Sequence, residues 1–445
     1  MLFKPNSLKE CANMAEIKPF RGLRFTNKAG DIQTLTCPPY DIISEEQRQE
    51  YLQTNPYNVI RLELPKEGEN PYTQAGETLR QWEEEGLIRQ DTQPALYIYE
   101  EEFLSGVTEG EVKKVKGFIC RVKAEPFSKG TVLPHEETLS KAKEDRLNLM
   151  KATGCNFSQI YSLYMDEEHT TWQRLENLSK DTPRYEFNDG LVTHRLWLVN
   201  DPVAIQAICD DFADRKLYIA DGHHRYETAV NFSQYCHENG IAPENGDADY
   251  VMMMLVDMEN DGLVVFPTHR LIRNLENFSS EALIKGCEEH FDITVMNHLD
   301  EIESTLHSLY QEGKKAFAFY DGGESWHLLT LRDISVMASL LPDKSPASQG
   351  LDVTVLHSLI LEKLMGIDKE NMANQRNLTY TRSFEEAIQS VQSGESQCAF
   401  ILNPTRVTEI RDVAAAGEKM PQKSTYFYPK LITGLVMNEM DLIQS

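Results

Sequence analysis

The stretch Tyr218–Ala229, YIADGHHRYETA, changes its hydrophobic period half-way along. Lys216–Ala220 (KLYIA) is a short run of apolar, strand-favouring residues. From His223 to Cys236, by contrast, Tyr226, Ala229, Val230 and Phe232 recur at helical spacing. A strand that turns straight into a helix satisfies both patterns, with Asp221-Gly222 as the turn. Such a junction needs a sheet with helices packed on it, which puts the chain in an α/β or mixed α+β class.

The flanking sequence agrees. THRLWLV reads as a strand, NDPVAIQAICDDFADR as a helix, and DYVMMMLVDMENDGLVVFPTHRLI as two strands joined as a hairpin at Asp261-Gly262. Upstream, residues 72–87 fit an amphipathic helix ending near Gly86, and ALYIYEEEF with VKGFICRVKAE form a strand pair. Residues 17–64 read as short strands and turns, NPYNVIRLELP among them. Pro38 and Pro39 hold Tyr40 and Asp41 in a loop. TVLPHEETLSKAKEDRLNLMKATG carries a helix start at Thr138 or Ser140 and a stop at Gly154. Beyond residue 276, LDVTVLHSLILEKLMGI reads as a helix and QCAFILNPT as a strand.

A chain of 445 residues, 41% hydrophobic and 26% charged, is long enough for two or three cores. The boundaries fall near 130 and 275, giving regions 1–130, 131–275 and 276–445. The longest apolar run, Tyr250 to Val256, is too short for a membrane span, and the N-terminus lacks the apolar segment of a secretory signal. A cytoplasmic location is expected. Eight cysteines without a C-x-x-C pair are expected to be reduced, with no structural zinc. The formal net charge of −26 and the lack of a basic run argue against nucleic acid as a partner. A small phosphorylated ligand is different, because a local cluster of donors can hold it against an acidic background.

That cluster stands at the junction. Gly222, His223, His224 and Arg225 occupy the start of the helix directly behind Asp221. Amides at a helix start lack intrahelical partners and the dipole there attracts anions, so a phosphate would meet backbone, imidazole and guanidinium donors together. The plainer alternative has Asp221 capping the helix and Arg225 paired with Asp221 or Glu227. Further candidates are Lys141 and Arg146 on the helix after PHEET, His269 and Arg270 after Pro267, and Lys423 in MPQKSTYFYPK, all as phosphate contacts. No H-x-x-x-H pair completes a hydrolytic metal site.

The motifs CPPYDII, NPYNVIRLELP, LPHEETLSKAKEDRLNLMKA, IADGHHRYETA, FPTHRLI and MPQKSTYFYPK resemble the prokaryotic family labelled SpoOJ/ParA/ParB/repB-like. D-G-H-H-R resembles the nucleotide-binding turn of the ParB/sulfiredoxin superfamily and, within it, of the archaeal free serine kinases, which phosphorylate L-serine with ADP. The resemblance implies a ParB/sulfiredoxin-like nucleotide-binding core with additional mixed α/β regions. It also implies ADP or ATP with Mg²⁺ as cofactors, and Asp221 to Arg225 as phosphate-binding or catalytic positions. The base would be a carboxylate outside the turn: Asp41 suits best, with Glu136 or Glu137 as alternatives, and Asp221 and Glu136 could meet the metal.

The leading expectation is therefore a nucleotide-dependent phosphotransferase acting on a small hydroxylated metabolite, with L-serine the named acceptor. Two other readings are a phosphohydrolase of a phosphomonoester such as phosphoserine and a ParB-like nucleotide-binding regulatory protein. A homodimer is left open.

Overall fold

The computed structural model describes residues 14–106, 110–136, 138 and 140–443. Of the candidate residues, Glu137 and the side chain of Lys141 lie outside the described residues. The fold is mixed α/β in two units: Met1–Pro134, Thr138–Val264 and Pro429–Ser445 form unit 1, and His135–Glu137 with Val265–Tyr428 form unit 2. Among the described residues no helix is long and apolar enough to cross a membrane.

Unit 1 is built on a nine-stranded mixed sheet: β1 (Ile17–Lys18), β2 (Leu96–Leu104), β3 (Val112–Lys123), β4 (Val132–Leu133), β5 (Ile160–Tyr164), β6 (Tyr185–Asn188), β7 (Val192–Val199), β8 (Leu217–Asp221) and β9 (Tyr250–Asp257). The order across it is β4-β8-β5-β9-β3-β2-β7-β6, with β1 against β3. The run YVMMMLV has no polar alternation because β9 is central, parallel to β5 on one side and antiparallel to β3 on the other, and buried throughout. The expected hairpin at Asp261-Gly262 does not form. Val264–Phe266 instead joins Tyr426–Tyr428 in a separate two-stranded sheet, since a turn signal cannot outweigh two long-range ladders for β9.

Helices of this unit include α1 (Pro71–Glu84), α2 (Ser140–Thr153), α3 (Pro202–Asp211) and α4 (His223–Glu238). Asn70 and Asp201 cap α1 and α3 by accepting amide hydrogens. Thr138, one of the two residues expected to start α2 (the other being Ser140), donates its hydroxyl to Glu227. NPYNVIRLELP, expected as strand or turn, forms the helical turn Ile60–Glu63, with Asn58 accepting from the Ile60 amide. α4 buries Tyr226, Ala229, Phe232 and Cys236 in the core that also holds Phe118, Tyr164 and Phe212. Each large side chain so buried contributes about 2 kcal/mol.

Unit 2 has a six-stranded sheet of β10 (His269–Ile272), β11 (Phe291–Met296), β12 (Ala316–Tyr320), β13 (Trp326–Leu331), β14 (Leu378–Thr381) and β15 (Cys398–Ile401). Its order is β11-β13-β12-β15-β10-β14, antiparallel throughout. The segment Asp352–Val355 is α-helical and continues as a π-helix over Leu356–Glu362.

Candidate functional site

The junction predicted from the period change is formed by β8 and α4. Pairing of β8 with β5 slips register between Ile219 and Asp221, a bulge that re-aims the last side chain of the strand. Gly222 then takes φ +99°, a conformation open to glycine, and as the N-cap it supplies no capping side chain. The amides at the start of a sixteen-residue helix therefore follow a position that has no side chain to cap them.

Asp221 carries the local charge balance. One of its oxygens accepts from Arg225 Nη2 at 2.9 Å and the other from Lys430 Nζ. Burial alone would raise its pKa, but the charges of Lys430 and Arg225 outweigh it and hold the carboxyl well below the usual range. His223, buried at the first helical position, adds to that lowering. Arg225 also donates Nη1 to the carbonyl of Gln159 at 2.7 Å. Of the alternatives read from the sequence, the pairing with Asp221 is the one formed. A Cβ on Gly222 would stand 2.9 Å from Arg225 Nη2, so the guanidinium lies flat against its own turn.

Arg225 still borders a cleft of about 40 Å³, shared with Glu63, Arg146, Ser158 and Thr228. Arg146 comes from α2, donates to the Glu63 carbonyl at 2.7 Å and to Asp145 at 2.8 Å, and lies 4.0 Å over the Tyr40 ring. Glu63 is buried and accepts from the Ser158 hydroxyl at 2.9 Å. Burial raises its pKa against the opposing charges of Arg146 and Arg225, and Asp41 raises it further. Tyr40 is pushed up to about 12 by burial, with the same two arginines opposing and Asp41 and Glu63 reinforcing. Asp41 itself is exposed in the short turn Tyr40–Ile42 that Pro39 starts. The structure thus groups Asp41, Arg146, Asp221 and Arg225 in unit 1, and adds Tyr40, Glu63 and Lys430. Glu63 sat unnoticed in a run expected to be strand, and Lys430 lies 209 positions from Asp221.

Gly222, His223, His224 and Lys141 also belong to unit 1, whereas His269, Arg270, Lys423 and Glu136 lie in unit 2. His269 is buried, its Nδ1 accepting from the Leu402 amide at 3.3 Å, and burial with the Arg270 charge pushes it down to about 4. At neutral pH this imidazole is uncharged and accepts within the core. Arg270 is also buried. Lys423 is exposed, with φ +57°. Glu136 pairs along the backbone with Met420, and its charge acts on Arg270 and Tyr380. Among the described residues no group of three or more His, Cys, Asp or Glu side chains could hold a metal ion.

Residues 17–354 match the family model described as Protein of unknown function (DUF1015). The chain belongs to the DUF1015 family. That match corrects the SpoOJ/ParA/ParB/repB-like assignment: short strings such as D-G-H-H-R mark a type of turn, whereas the family match spans both units. No curated protein matches the DUF1015 chain. Among solved structures it is similar to a conserved hypothetical protein from Pyrococcus furiosus, at 13% identity and TM-score 0.33 over 71% of this chain and 92% of that one. It is also similar to a free serine kinase in complex with AMP, at 14% identity and TM-score 0.36 over 70% and 89%. A third is SbnI with a C-terminal truncation from Staphylococcus aureus, at 12% identity and TM-score 0.34 over 69% and 82%.

Proposed function

We propose that this DUF1015 protein is a small-molecule phosphotransferase, moving a phosphoryl group between a nucleotide, ADP or ATP, and the hydroxyl of a small metabolite. The observation that carries the reading is the convergence of Arg146, Arg225 and buried Glu63 on one cleft beside the uncapped start of α4. Fixed cations and helix-start amides are what phosphoryl oxygens require, and their value is greatest when they are oriented before the ligand arrives. Asp221 supplies that orientation. By holding Arg225 and Lys430 it acts as a positioning residue, and the Gln159 carbonyl fixes the other side of the fork.

In this reading the α4 amides with His223, His224 and Arg225 receive the phosphoryl oxygens, and Arg146 neutralises charge across the cleft. Asp41, at the exposed turn, accepts the proton of the attacking hydroxyl. Glu63, its pKa raised by burial, is the alternative base. Free L-serine is the first acceptor to test, because the D-G-H-H-R turn resembles that of the serine kinases. Asp221 does not fit as a ligand of Mg²⁺: both its oxygens are engaged by cations and would have to be released first.

A second reading, hydrolysis of a phosphomonoester, draws on the cleft's size. About 40 Å³ accommodates a phosphoryl head but not a nucleotide, whose sites run to ~300 Å³ or more. Phosphorus NMR separates the two. Phosphoserine formed from serine with ADP or ATP supports the transferase, and inorganic phosphate released from phosphoserine alone supports the hydrolase. Either rate should fall about a hundredfold in Arg146→Ala, as expected for loss of one fixed donor to transition-state charge. Turnover that is absent, or unchanged in that variant, would refute both.

A further inference from the structure

The charge of the chain is strongly acidic, yet unit 2 contains a cavity of about 210 Å³ with Lys344, Lys369 and Lys419 around it. Its wall includes His357, and Leu341 and Met372 supply apolar surface. Lys344 and Lys369 are exposed at the rim, whereas His357 is buried in the π-helical segment Leu356–Glu362. A π-helix is a strained way to continue a helix and recurs where a side chain must be re-aimed at a ligand. It carries His357 and Ser358 to the same cavity.

Behind that wall stands Arg270. Its guanidinium is 1% exposed, donates Nε to His357 at 3.3 Å and Nη1 to the Thr268 carbonyl, and lies 5.4 Å from the centre of the Tyr380 ring. Tyr380 also lines the cavity. Arg270 Nη2 has no hydrogen-bond acceptor. A void of about 10 Å³ that Arg270 shares with Asp352 has room for one water, which could serve that nitrogen without neutralising the charge. Burial pushes Arg270 down to about 10, which still leaves it cationic at neutral pH. His357 is held far below its ordinary value by burial and by Arg270, so it faces the cavity as a neutral ring.

Three carboxylates limit the excess, the first being Glu136, whose charge acts on Arg270 and Tyr380. Glu362 lines the cavity, and Glu418 is tied to Ser345 and Ser348. Three lysines and a buried arginine outnumber them. A positive field focused in a low-dielectric recess draws small anions even when the molecule as a whole repels them.

We propose that this cavity binds a small organic anion, a phosphate monoester or a carboxylic acid. Its charged oxygens would lie among Lys344, Lys369 and Lys419 and its apolar body on Leu341 and Met372. The field of Arg270 is relayed through His357 and Tyr380, and the site is independent of the cleft in unit 1.

Calorimetric titration of the full chain with phenyl phosphate, benzoate and benzyl alcohol tests it. Phenyl phosphate or benzoate should bind saturably and the uncharged alcohol should not. The double variant Lys344→Gln/Lys369→Gln changes exposed rim residues only and should bind at least about tenfold more weakly, a loss of about 1.4 kcal/mol. Its far-ultraviolet dichroism should match the parent. A preference for phenyl phosphate assigns a phosphate ester, and a preference for benzoate assigns a carboxylic acid. Three results would overturn the proposal: neither anion binding at millimolar concentration, the alcohol binding as well as the anions, or the double variant binding the preferred anion undiminished.

Discussion

Two arginines, one in each unit, show how differently a chain can hold a cation. Arg225 at the start of α4 is held in place before any ligand arrives, with Asp221 on one side and the Gln159 carbonyl on the other. Arg270 in β10 is more deeply buried, yet it rests on a carbonyl, an imidazole and an aromatic ring, with one nitrogen unpartnered. The first arrangement fixes geometry at the cost of field. The second keeps its field and gives up part of its hydrogen bonding. On the two proposals above, the first arrangement would orient a reacting group and the second would attract a charged one.

Removing the carboxylate from the first arrangement should have the largest effect. Asp221→Ala removes the carboxylate that Arg225 and Lys430 share, each of them 12% exposed, and should cost about 3–5 kcal/mol, read as a lower urea midpoint for unit 1 peptides in hydrogen exchange. A loss below about 1 kcal/mol would mean that the two cations find other partners.

Acidification should separate the units next. His269 titrates near 4 in the fold and near 6.5 when unfolded. Between those values the unfolded chain binds more protons, so His269 costs unit 2 up to about 1.4 kcal/mol per pH unit as pH falls from 6.5 towards 4, and His357, lowered for the same reasons, adds a loss of the same sign. The folded pKa of Asp221 is depressed, so its contribution is present above about 4 and is lost only below that. Hydrogen exchange at pH 5 should show unit 2 weakened, and His269→Gln should flatten that pH dependence; an unchanged slope in the variant would show that other groups set it.

Gly222→Ala tests the tight packing of the turn. With φ at +99° and the new Cβ 2.9 Å from the Arg225 guanidinium, a loss of about 1–3 kcal/mol in thermal unfolding is expected. The smallest change should come from Arg270→Met. A buried cation that no carboxylate holds by a hydrogen bond gives back its desolvation cost when replaced by an apolar chain, offset by the lost attraction to Glu136, so stability should move by less than about 1 kcal/mol. A large loss there would erase the contrast between the two arginines.

The junction itself was legible because strand and helix periods differ and meet within two residues. KLYIA reads as a strand and His223 onward as a helix from local spacing alone. Helix α1 and the pair β2 and β3 were legible for the same reason. What escaped was set by distance along the chain. β9 looked like half of a hairpin because Asp261-Gly262 is a strong local turn signal, while its true partners lie about a hundred positions upstream. Lys430 could not be assigned to Asp221, because no local pattern links residues 209 apart. Glu63 gave no signal because a carboxylate in an apolar run reads as a solvent-facing residue until the fold buries it. His269 and Arg270 looked like a single cationic pair, yet adjacent residues on a strand face opposite ways and meet different neighbours.

The central claim is that the start of α4 receives the anionic oxygens of a substrate. Hydrogen exchange across 218–238, with and without ADP plus serine, measures this directly, since amides in a first turn lack intrahelical acceptors and exchange quickly unless a ligand covers them. Slowed exchange confined to His223, His224 and Arg225, lost in Arg146→Ala, is the predicted result; the Tyr226 amide already donates to the Gly222 carbonyl. Exchange there that is identical with and without those ligands, or with phosphoserine in their place, would contradict it.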